Sequence, residues 1–151
     1  MTLLKRMSAG WLALFGIAAA AIFLGGCGAD REKGKEQFKE AMDLVTTNSK
    51  QAMKLLEKSC GNENASACAL LAGSYIGGHR GFDLKADRSK AVKFAQKLTD
   101  IYIKYACEEK DNKQACEKTK LQSAGLRERC ADKESSDCAT AIKLLSIGFG
   151  W

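Results

Sequence analysis

Seven cysteines are the residues of this chain whose type and spacing most directly indicate chemistry. Six of them form three close pairs along the sequence: Cys60 with Cys68, Cys107 with Cys116, and Cys130 with Cys138. The seventh, Cys27, stands alone after an apolar segment. Because a thiol can form a disulfide, bind a metal ion or carry a lipid, the surroundings of each cysteine decide between these chemistries.

The polar segments between the paired cysteines favour disulfides that clamp successive helices. On a straight helix Cys60 and Cys68 would lie about 12 Å apart, whereas the Cα atoms of a disulfide are roughly 4.4–6.8 Å apart. The chain must therefore turn between them, and the intervening GNENASA suits a turn. The other two pairs also enclose polar segments. Since His79 is the one histidine and the spacings are too wide for a zinc knuckle, we predict no metal site and no cofactor.

Residues 1–26 have the pattern of a bacterial export signal. Two basic residues precede the apolar stretch Trp11–Leu24, which is shorter than the roughly 20 residues of a membrane-spanning helix. The LGGC sequence that ends at Cys27 resembles the lipobox of bacterial lipoproteins. This resemblance implies that Cys27 carries acyl chains and becomes the N-terminus after cleavage. The alternative is an uncleaved anchor helix with an incidental cysteine.

A lipid on Cys27 implies a protein of the bacterial cell envelope that is bound to the membrane through that lipid. Gly28 stands where lipoprotein sorting in enteric-type bacteria would use aspartate for retention in the inner membrane, so its presence favours the outer membrane. Residues 27–33 would form a polar tether, and residues 34–151 the folded domain. An exported location also favours disulfides over free thiols.

The charge pattern argues against nucleic-acid binding. The chain has 24 basic and 18 acidic side chains, a mild excess. Both signs alternate along the sequence, as expected of solvated helix faces. Because no basic run is interleaved with aromatic residues, we predict no nucleic-acid partner.

Apolar residues recur at helical spacing and predict an all-α domain of about six helices. The chain contains no proline, and strand-type alternation is scarce. Residues that cap helix ends mark the starts and stops. They are Asn48 with Gln51 as a capping box, Gly77-Gly78 as a stop, Asp87 as the start of a helix reaching about Cys107, and Ser135 or Ser136 as the last start.

The fifth predicted helix, 113–129, has a thin apolar face. Its predicted members are Ala115, Cys116, Leu121, Ala124 and Leu126. The sixth helix has a more regular face, formed by Cys138, Ala141, Ile142 and Leu145. Helices of this length, clamped in pairs by cysteines, fit either an α-solenoid of αα hairpins or a compact helical bundle.

The segment EKSCGNENASACALLAGSYIGG, followed by KADRSKAVKFAQK, resembles a Sel-one-like repeat, a relative of the tetratricopeptide repeat. More closely, it resembles the secreted bacterial subgroup in which cysteine pairs join successive helices. The matching residues are Ala67, Leu70, Leu71, Tyr75 and Gly77 in the first helix, and Asp87, Lys90 and Ala91 in the second. The resemblance covers roughly residues 58–97. It implies stacked αα hairpins that form a groove for a peptide or protein.

We therefore expect a non-catalytic interaction scaffold or adaptor, with a role in assembly, inhibition or exclusion. Its partner would be an unidentified protein or peptide of the cell envelope. The resemblance also implies an alternative, a β-lactam-binding protein or cell-wall hydrolase. A serine acyl-enzyme of that kind would need Ser-x-x-Lys, and no serine here has lysine three residues later. We predict no enzyme activity. A purely structural envelope spacer is the third hypothesis.

Five residues are predicted as candidate partner contacts. His79, Arg80 and Phe82 lie in the loop between the third and fourth helices, whereas Phe149 and Trp151 follow the sixth. Each group has an alternative role in packing. Phe82 would fill the core of its hairpin, and the two C-terminal aromatics would fold back onto the last helix pair.

Overall fold

The computed structural model describes residues 30–148, and this part of the chain forms six α-helices and no named strand. The helices are α1 (Arg31–Leu44), α2 (Ser49–Gly61), α3 (Ala65–Gly77), α4 (Arg88–Lys104), α5 (Lys113–Arg129) and α6 (Ser136–Gly148). A 3₁₀ turn, Arg80–Phe82, lies between α3 and α4, and a π-helical turn, Tyr105–Glu109, extends α4. The prediction of an all-α domain with about six helices is confirmed.

Local side-chain chemistry explains where the helices begin. At each start an Asp, Asn or Ser side chain accepts a hydrogen bond from a backbone N–H three residues later, which satisfies a donor without an intrahelical partner. These capping residues are Asp30, Asn48, Asn64, Asp87, Asn112 and Ser135. Helix α3 ends before Gly78, whose φ of 74° lies in the left-handed region that favours glycine.

Three disulfides clamp the helix connections as predicted. Each bond joins the end of one helix, or the π-helical turn after it, to the first turn of the next helix. The bonds are Cys60–Cys68, Cys107–Cys116 and Cys130–Cys138, with Cα atoms 4.8, 4.8 and 4.6 Å apart. The turns α2–α3, α4–α5 and α5–α6 are therefore covalently closed, whereas the connections α1–α2 and α3–α4 have no disulfide and are held by packing and by backbone hydrogen bonds.

The helices pack as antiparallel hairpins around one core. Four of the helices each contribute a fully buried aliphatic side chain to this core: Leu56 from α2, Leu71 from α3, Leu98 from α4 and Ile142 from α6. Helix α6 packs against α3 as well as against α5 and α4. This return contact closes the last hairpin onto the centre of the domain, so the C-terminal half has the arrangement of a compact bundle rather than an open stack.

Tyr75 of α3 ties three helices together through its ring and its hydroxyl. The ring stacks on Phe94 of α4 with centroids 5.8 Å apart, and the Nζ of Lys90 lies 5.0 Å above it. Its hydroxyl is 3.3 Å from Oε1 of Glu57 on α2. Burial raises the pKa of Tyr75, so the phenol keeps its proton and remains a hydrogen-bond donor.

Helix α1 approaches the end of α2 closely at Gly34. The hydroxyl of Ser59 donates a hydrogen bond to the carbonyl oxygen of Gly34 at 2.6 Å, and the side-chain amide of Asn62 donates one to Gln37 at 2.9 Å. A Cβ atom at position 34 would lie 2.9 Å from the backbone oxygen of Asn62. Glycine is therefore required here for close approach, although it lowers helix propensity.

We expect Gly34→Ala to destabilise the domain by about 1–3 kcal/mol, because the new methyl group forces α1 away from α2 and strains two hydrogen bonds. The matched control is Gly125→Ala in α5, where a Cβ atom meets nothing within 4 Å. That change should stabilise the domain by about 0.5–1 kcal/mol through helix propensity alone. Urea unfolding of both variants measures the difference, and equal effects would refute the close approach.

Two predicted boundaries differ in the structure. Helix α1 begins at Arg31, so the last residues of the predicted tether 27–33 are helical. The reason is the side chain of Asp30, which caps the helix by accepting a hydrogen bond from the backbone N–H of Lys33. Helix α4 ends as an α-helix at Lys104, and the chain continues to Glu109 as a π-helical turn rather than a longer α-helix.

Candidate interaction groove

The structure separates the predicted contact residues into exposed and buried ones. His79 and Arg80 are exposed in the loop after α3. Phe82 is only 4% exposed and packs in the core, which is the alternative role predicted for it, so it offers no surface to a partner. The rings of His79 and Phe82 lie 4.8 Å apart. The other proposed sites, Cys27, Phe149 and Trp151, lie outside the described residues 30–148.

Sequence reasoning did not predict the groove that lies between α5 and α6. Its volume is about 700 Å³. The α5 wall includes Lys118, Leu121, Gln122 and Gly125. These positions follow the i, i+3, i+4, i+7 spacing that places residues on one face of a helix. The mixed polarity of this face explains why an apolar pattern did not reveal it.

The α6 wall of the groove has the same spacing and is entirely apolar. It consists of Ala141, Leu144, Leu145 and Gly148. A second apolar face of α6, carrying Ile142, packs in the core. A helix that is apolar on more than one face is expected to be covered on each of them. This excess of apolar residues in α6 is the sequence signal that could have indicated the groove.

Large aliphatic side chains stand exposed in and beside the groove. Leu121 is 72% exposed and Leu144 is 62% exposed, and both line it. Ile147, three residues after Leu144, is 70% exposed. Single exposed aliphatic residues are ordinary, but neighbouring ones around a concavity are typical of interaction sites. The α5–α6 groove is therefore the candidate functional site of the domain.

The predicted core face of α5 is partly wrong. Leu121 and Ala124 are exposed, whereas the buried face consists of Cys116, Thr119, Ser123 and Leu126. Two hydroxyl groups on this face have hydrogen-bond partners: Thr119 donates to the carbonyl of Ala115 in α5 at 2.8 Å, and Ser123 accepts from the hydroxyl of Thr99 in α4 at 3.3 Å. Because hydrogen-bonded hydroxyls can be buried at little cost, polar residues occupy the core face and leave Leu121 outside.

The charge of the groove is positive. Lys118 and Arg129 belong to its lining, and no aspartate or glutamate does. Gly125 lies on its wall, where a Cβ atom would meet nothing within 4 Å. The groove thus combines an apolar surface, cationic groups and free space, which suits an apolar segment that carries carboxylates or aromatic rings.

A cluster of four charged groups joins α1, the α2–α3 turn and the end of α4. Arg31 contacts Glu63 at 3.0 Å and Glu109 at 2.6 Å, and Lys104 contacts Glu63 at 2.6 Å. The backbone φ of Glu63 is 60°, which lies in the left-handed region where glycine is favoured. The ion pairs that Glu63 forms with Arg31 and Lys104 explain why glutamate occupies this position. Every member is paired within the cluster, so we assign it a structural role.

We expect the contribution of Glu63 to stability to disappear at acid pH. The hydrogen bond from Lys104, opposed by desolvation and reinforced by Arg31, holds the pKa of Glu63 below its ordinary value of 4.5. A carboxyl group with a lowered pKa in the folded state stabilises the fold above its unfolded pKa, and this effect is lost as the pH falls through the folded pKa.

Glu63→Gln should therefore cost about 1 kcal/mol at pH 7, since the pairs are partly exposed to solvent. The difference between the variant and the natural chain should shrink steadily below about pH 4.5. Urea unfolding across this pH range provides the measurement. The control is Glu117→Gln, whose partner Lys120 is a surface neighbour in α5. A difference at Glu63 that persists at pH 2 would contradict the prediction.

Comparisons with known protein families, curated protein sequences and solved structures find no match for this chain. Within residues 30–148, no helix has the length and apolar character needed to cross a membrane. The same part of the chain has no group of three or more His, Cys, Asp or Glu side chains arranged to hold a metal ion.

Proposed function

We propose that this chain is a lipid-anchored protein of the bacterial cell envelope whose helical domain binds another protein through the α5–α6 groove. The observation that carries the proposal is the groove itself, with Leu121 and Leu144 exposed on its walls. Its cationic lining favours an apolar helix or peptide of the partner flanked by carboxylates. Such a protein would serve as an adaptor, an assembly factor or an inhibitor.

The cysteines support the envelope location. Three structural disulfides are typical of oxidising compartments outside the cytoplasm. The LGGC sequence before Gly28 supports lipid attachment at Cys27, with the outer membrane favoured. Acyl chains contribute about 0.8 kcal/mol per buried CH₂ group, so more than one chain would anchor the domain stably.

The helical region also supports membership of the cysteine-rich Sel-one-like kind as part of this proposal. Residues named by the resemblance lie in the core: Ala67, Leu71 and Ala91 are fully buried, and Tyr75 is 5% exposed. The Cys60–Cys68 bond joins successive helices, as that resemblance implies. Helical arrays of this kind bind peptides or proteins more often than they catalyse reactions.

Intact mass of the protein from its native envelope tests the anchoring. A chain that begins at Cys27 with added acyl mass, and that shows six thiols only after reduction, would support it. An uncleaved N-terminus would refute it. The mass difference between samples alkylated with and without prior reduction counts the thiols directly.

Site-specific cross-linking in the native envelope tests the groove. A photoreactive residue replaces Leu121, and the control replaces Met42 of α1, which is 42% exposed and remote in sequence from the groove. We expect a discrete adduct from position 121 and none from position 42. The Gly125→Phe variant fills the groove and should abolish the adduct, whereas Gly125→Ala should retain it. An adduct insensitive to Gly125→Phe, or no adduct at all, would refute partner binding here.

A further inference from the structure

The three disulfides of residues 30–148 differ in how closely solvent approaches them. Five of the six paired cysteines are at most 8% exposed, namely Cys60, Cys68, Cys116, Cys130 and Cys138. The sixth, Cys107, is partly exposed. A thiol exchanges with a disulfide by attacking one of its two sulfur atoms, so the rate of exchange depends on access to that atom. In the folded domain, Cys107–Cys116 is therefore the most accessible of these three bonds.

The π-helical turn Tyr105–Glu109 explains why Cys107 lies at the surface. Tyr105 is 43% exposed, and Glu108, the residue that follows Cys107, is also exposed. By contrast, Cys60 and Cys130 stand at the ends of the regular α-helices α2 and α5, and both are buried. Turns of the π type are rare and occur frequently at functional sites.

The position of Cys116 suits it to leave the bond as a thiolate. Cys116 lies in the first turn of α5, and its backbone N–H donates to the carbonyl oxygen of Asn112, the capping residue, at 2.8 Å. The N-terminal end of a helix carries a partial positive charge that stabilises a thiolate. No acidic residue lies in the first turn of α5 to oppose this effect. Cys68 and Cys138 also lie near helix starts, so the exposure of Cys107 is what distinguishes this bond.

We propose that Cys107–Cys116 is a thiol-exchange site of the folded domain, and that a small thiol attacks it at Cys107. The attacking thiolate forms a new S–S bond with Cys107 while the bond between Cys107 and Cys116 breaks. The electron pair of the broken bond leaves with the Cys116 sulfur, which takes up the proton that the attacking thiol has lost. A second thiol then attacks the mixed disulfide and releases Cys107 as a thiol, so two thiols are oxidised to one disulfide and the protein bond is reduced.

Exchange at this bond opens the α4–α5 turn. Once the bond is broken, the turn keeps two backbone hydrogen bonds of 3.0 Å, which the N–H groups of Lys110 and Asn112 donate to carbonyl groups of the π-helical turn. It also keeps the ion pair between Glu109 and Arg31 of α1. A partly exposed ion pair contributes little to stability, so the opened turn should fray locally. This inference goes beyond the proposed function and is independent of it, because the exchange needs no protein partner.

Timed reduction tests the site in the full-length chain in detergent micelles. The probe is dithiothreitol, an uncharged dithiol, and samples are alkylated at intervals and mapped by peptide mass. We expect Cys107 and Cys116 to be alkylated at least about tenfold faster than the other four paired cysteines, because access limits the exchange. Equal rates for the three bonds, or earlier reduction of either other bond, would overturn the inference.

Urea below the unfolding transition distinguishes exchange in the folded domain from exchange through unfolding. A buried bond reacts from opened molecules, and the population of these molecules rises with urea. The rate at Cys107–Cys116 should change little over this range, whereas the rate at Cys60–Cys68 should rise steeply. An equally steep rise at both bonds would show that the fold protects them alike, which contradicts the proposed site.

An uncharged monothiol, 2-mercaptoethanol, tests which sulfur is attacked. Rapid alkylation after brief exposure should trap the mixed disulfide on Cys107 and the alkyl group on Cys116. The reverse arrangement would overturn the role assigned to Cys107. Cys60 and Cys68, whose bond also joins a helix end to a helix start, serve as the matched control and should carry neither group.

Amide hydrogen exchange after selective reduction tests the opening of the turn. We expect the N–H groups of Lys110 and Asn112 to lose protection. The N–H of Asn64, which donates to the carbonyl of Ser59 in the α2–α3 turn at 3.1 Å, should keep its protection. Unchanged protection at Lys110 and Asn112 would refute the opening, and equal loss at Asn64 would show general unfolding in place of a local change.

Discussion

Replacing Cys60 and Cys68 together with alanine should lower the free energy of unfolding by about 3–5 kcal/mol. Both residues are fully buried, and their bond closes the α2–α3 turn at the centre of the core. Removing a disulfide that closes a loop this short costs about 2–3 kcal/mol in the chain-entropy model. Loss of two buried sulfur atoms adds a packing term. Urea unfolding, monitored by circular dichroism, measures the loss.

The matched control is the double replacement of Cys107 and Cys116. This bond closes a loop of nearly the same length, but Cys107 is partly exposed in the π-helical turn. Its removal should cost about 2–3 kcal/mol, mainly because the unfolded chain gains conformational entropy when the bond is absent. The additional loss of unfolding free energy expected for Cys60 and Cys68 then measures the contribution of their burial. Equal losses for both pairs, or no loss at Cys60 and Cys68, would contradict the prediction.

Leu98→Ala should destabilise the domain by about 2–5 kcal/mol. Leu98 of α4 is fully buried and belongs to the core that also contains Leu56, Leu71 and Ile142. The truncation removes apolar contacts and leaves a cavity that close-packed neighbours cannot fill. Thermal unfolding should show the same loss as a lower midpoint, by about 4 °C per kcal/mol for a domain of this size.

Met42→Ala is the control for this truncation. Met42 is 42% exposed on α1, and its side chain is similar in size to that of leucine. Its replacement should cost less than about 1 kcal/mol, since a partly exposed side chain leaves no closed cavity. A loss at Met42 equal to that at Leu98 would mean that another surface covers α1. A small loss at Leu98 would contradict the assignment of a single core.

The separation of core and groove has a functional consequence. The core is closed by α6 packing on α3, whereas the exposed groove residues Leu121 and Leu144 lie outside it. The Cys130–Cys138 bond holds the turn between α5 and α6. Groove residues such as Leu121 can therefore change with little effect on stability, and variants that test the proposed binding can be told apart from variants that unfold the domain.

The helix boundaries followed from local chemistry. A polar side chain that caps a helix acts within three residues, so Asn48 and Asp87 could be recognised without knowledge of the fold. The predicted fifth helix, 113–129, agrees with the structure for the same reason. Asp30 shows the limit of this reasoning: it caps α1, but its place in a polar segment led to the prediction of a tether.

The faces of the last hairpin did not follow from the sequence. A helical pattern shows which residues share a face, but not which face another helix will cover. Thr119 and Ser123 are both buried: the Thr119 hydroxyl has a partner within α5, whereas the Ser123 hydroxyl meets Thr99 of α4 only once the two helices have packed. Leu121 is consequently exposed, and the groove on its side was not predicted.

The sequence by itself determined the helices, several of their caps and the three disulfides, because each of these depends on residues close together along the chain. Caps act across three positions, and each bond joins cysteines on either side of one turn. Only the tertiary structure decided that α6 returns to α3, that Phe82 is buried, and that Leu121 and Leu144 face a groove. These features depend on which surfaces meet, and that is set by the packing of all helices together.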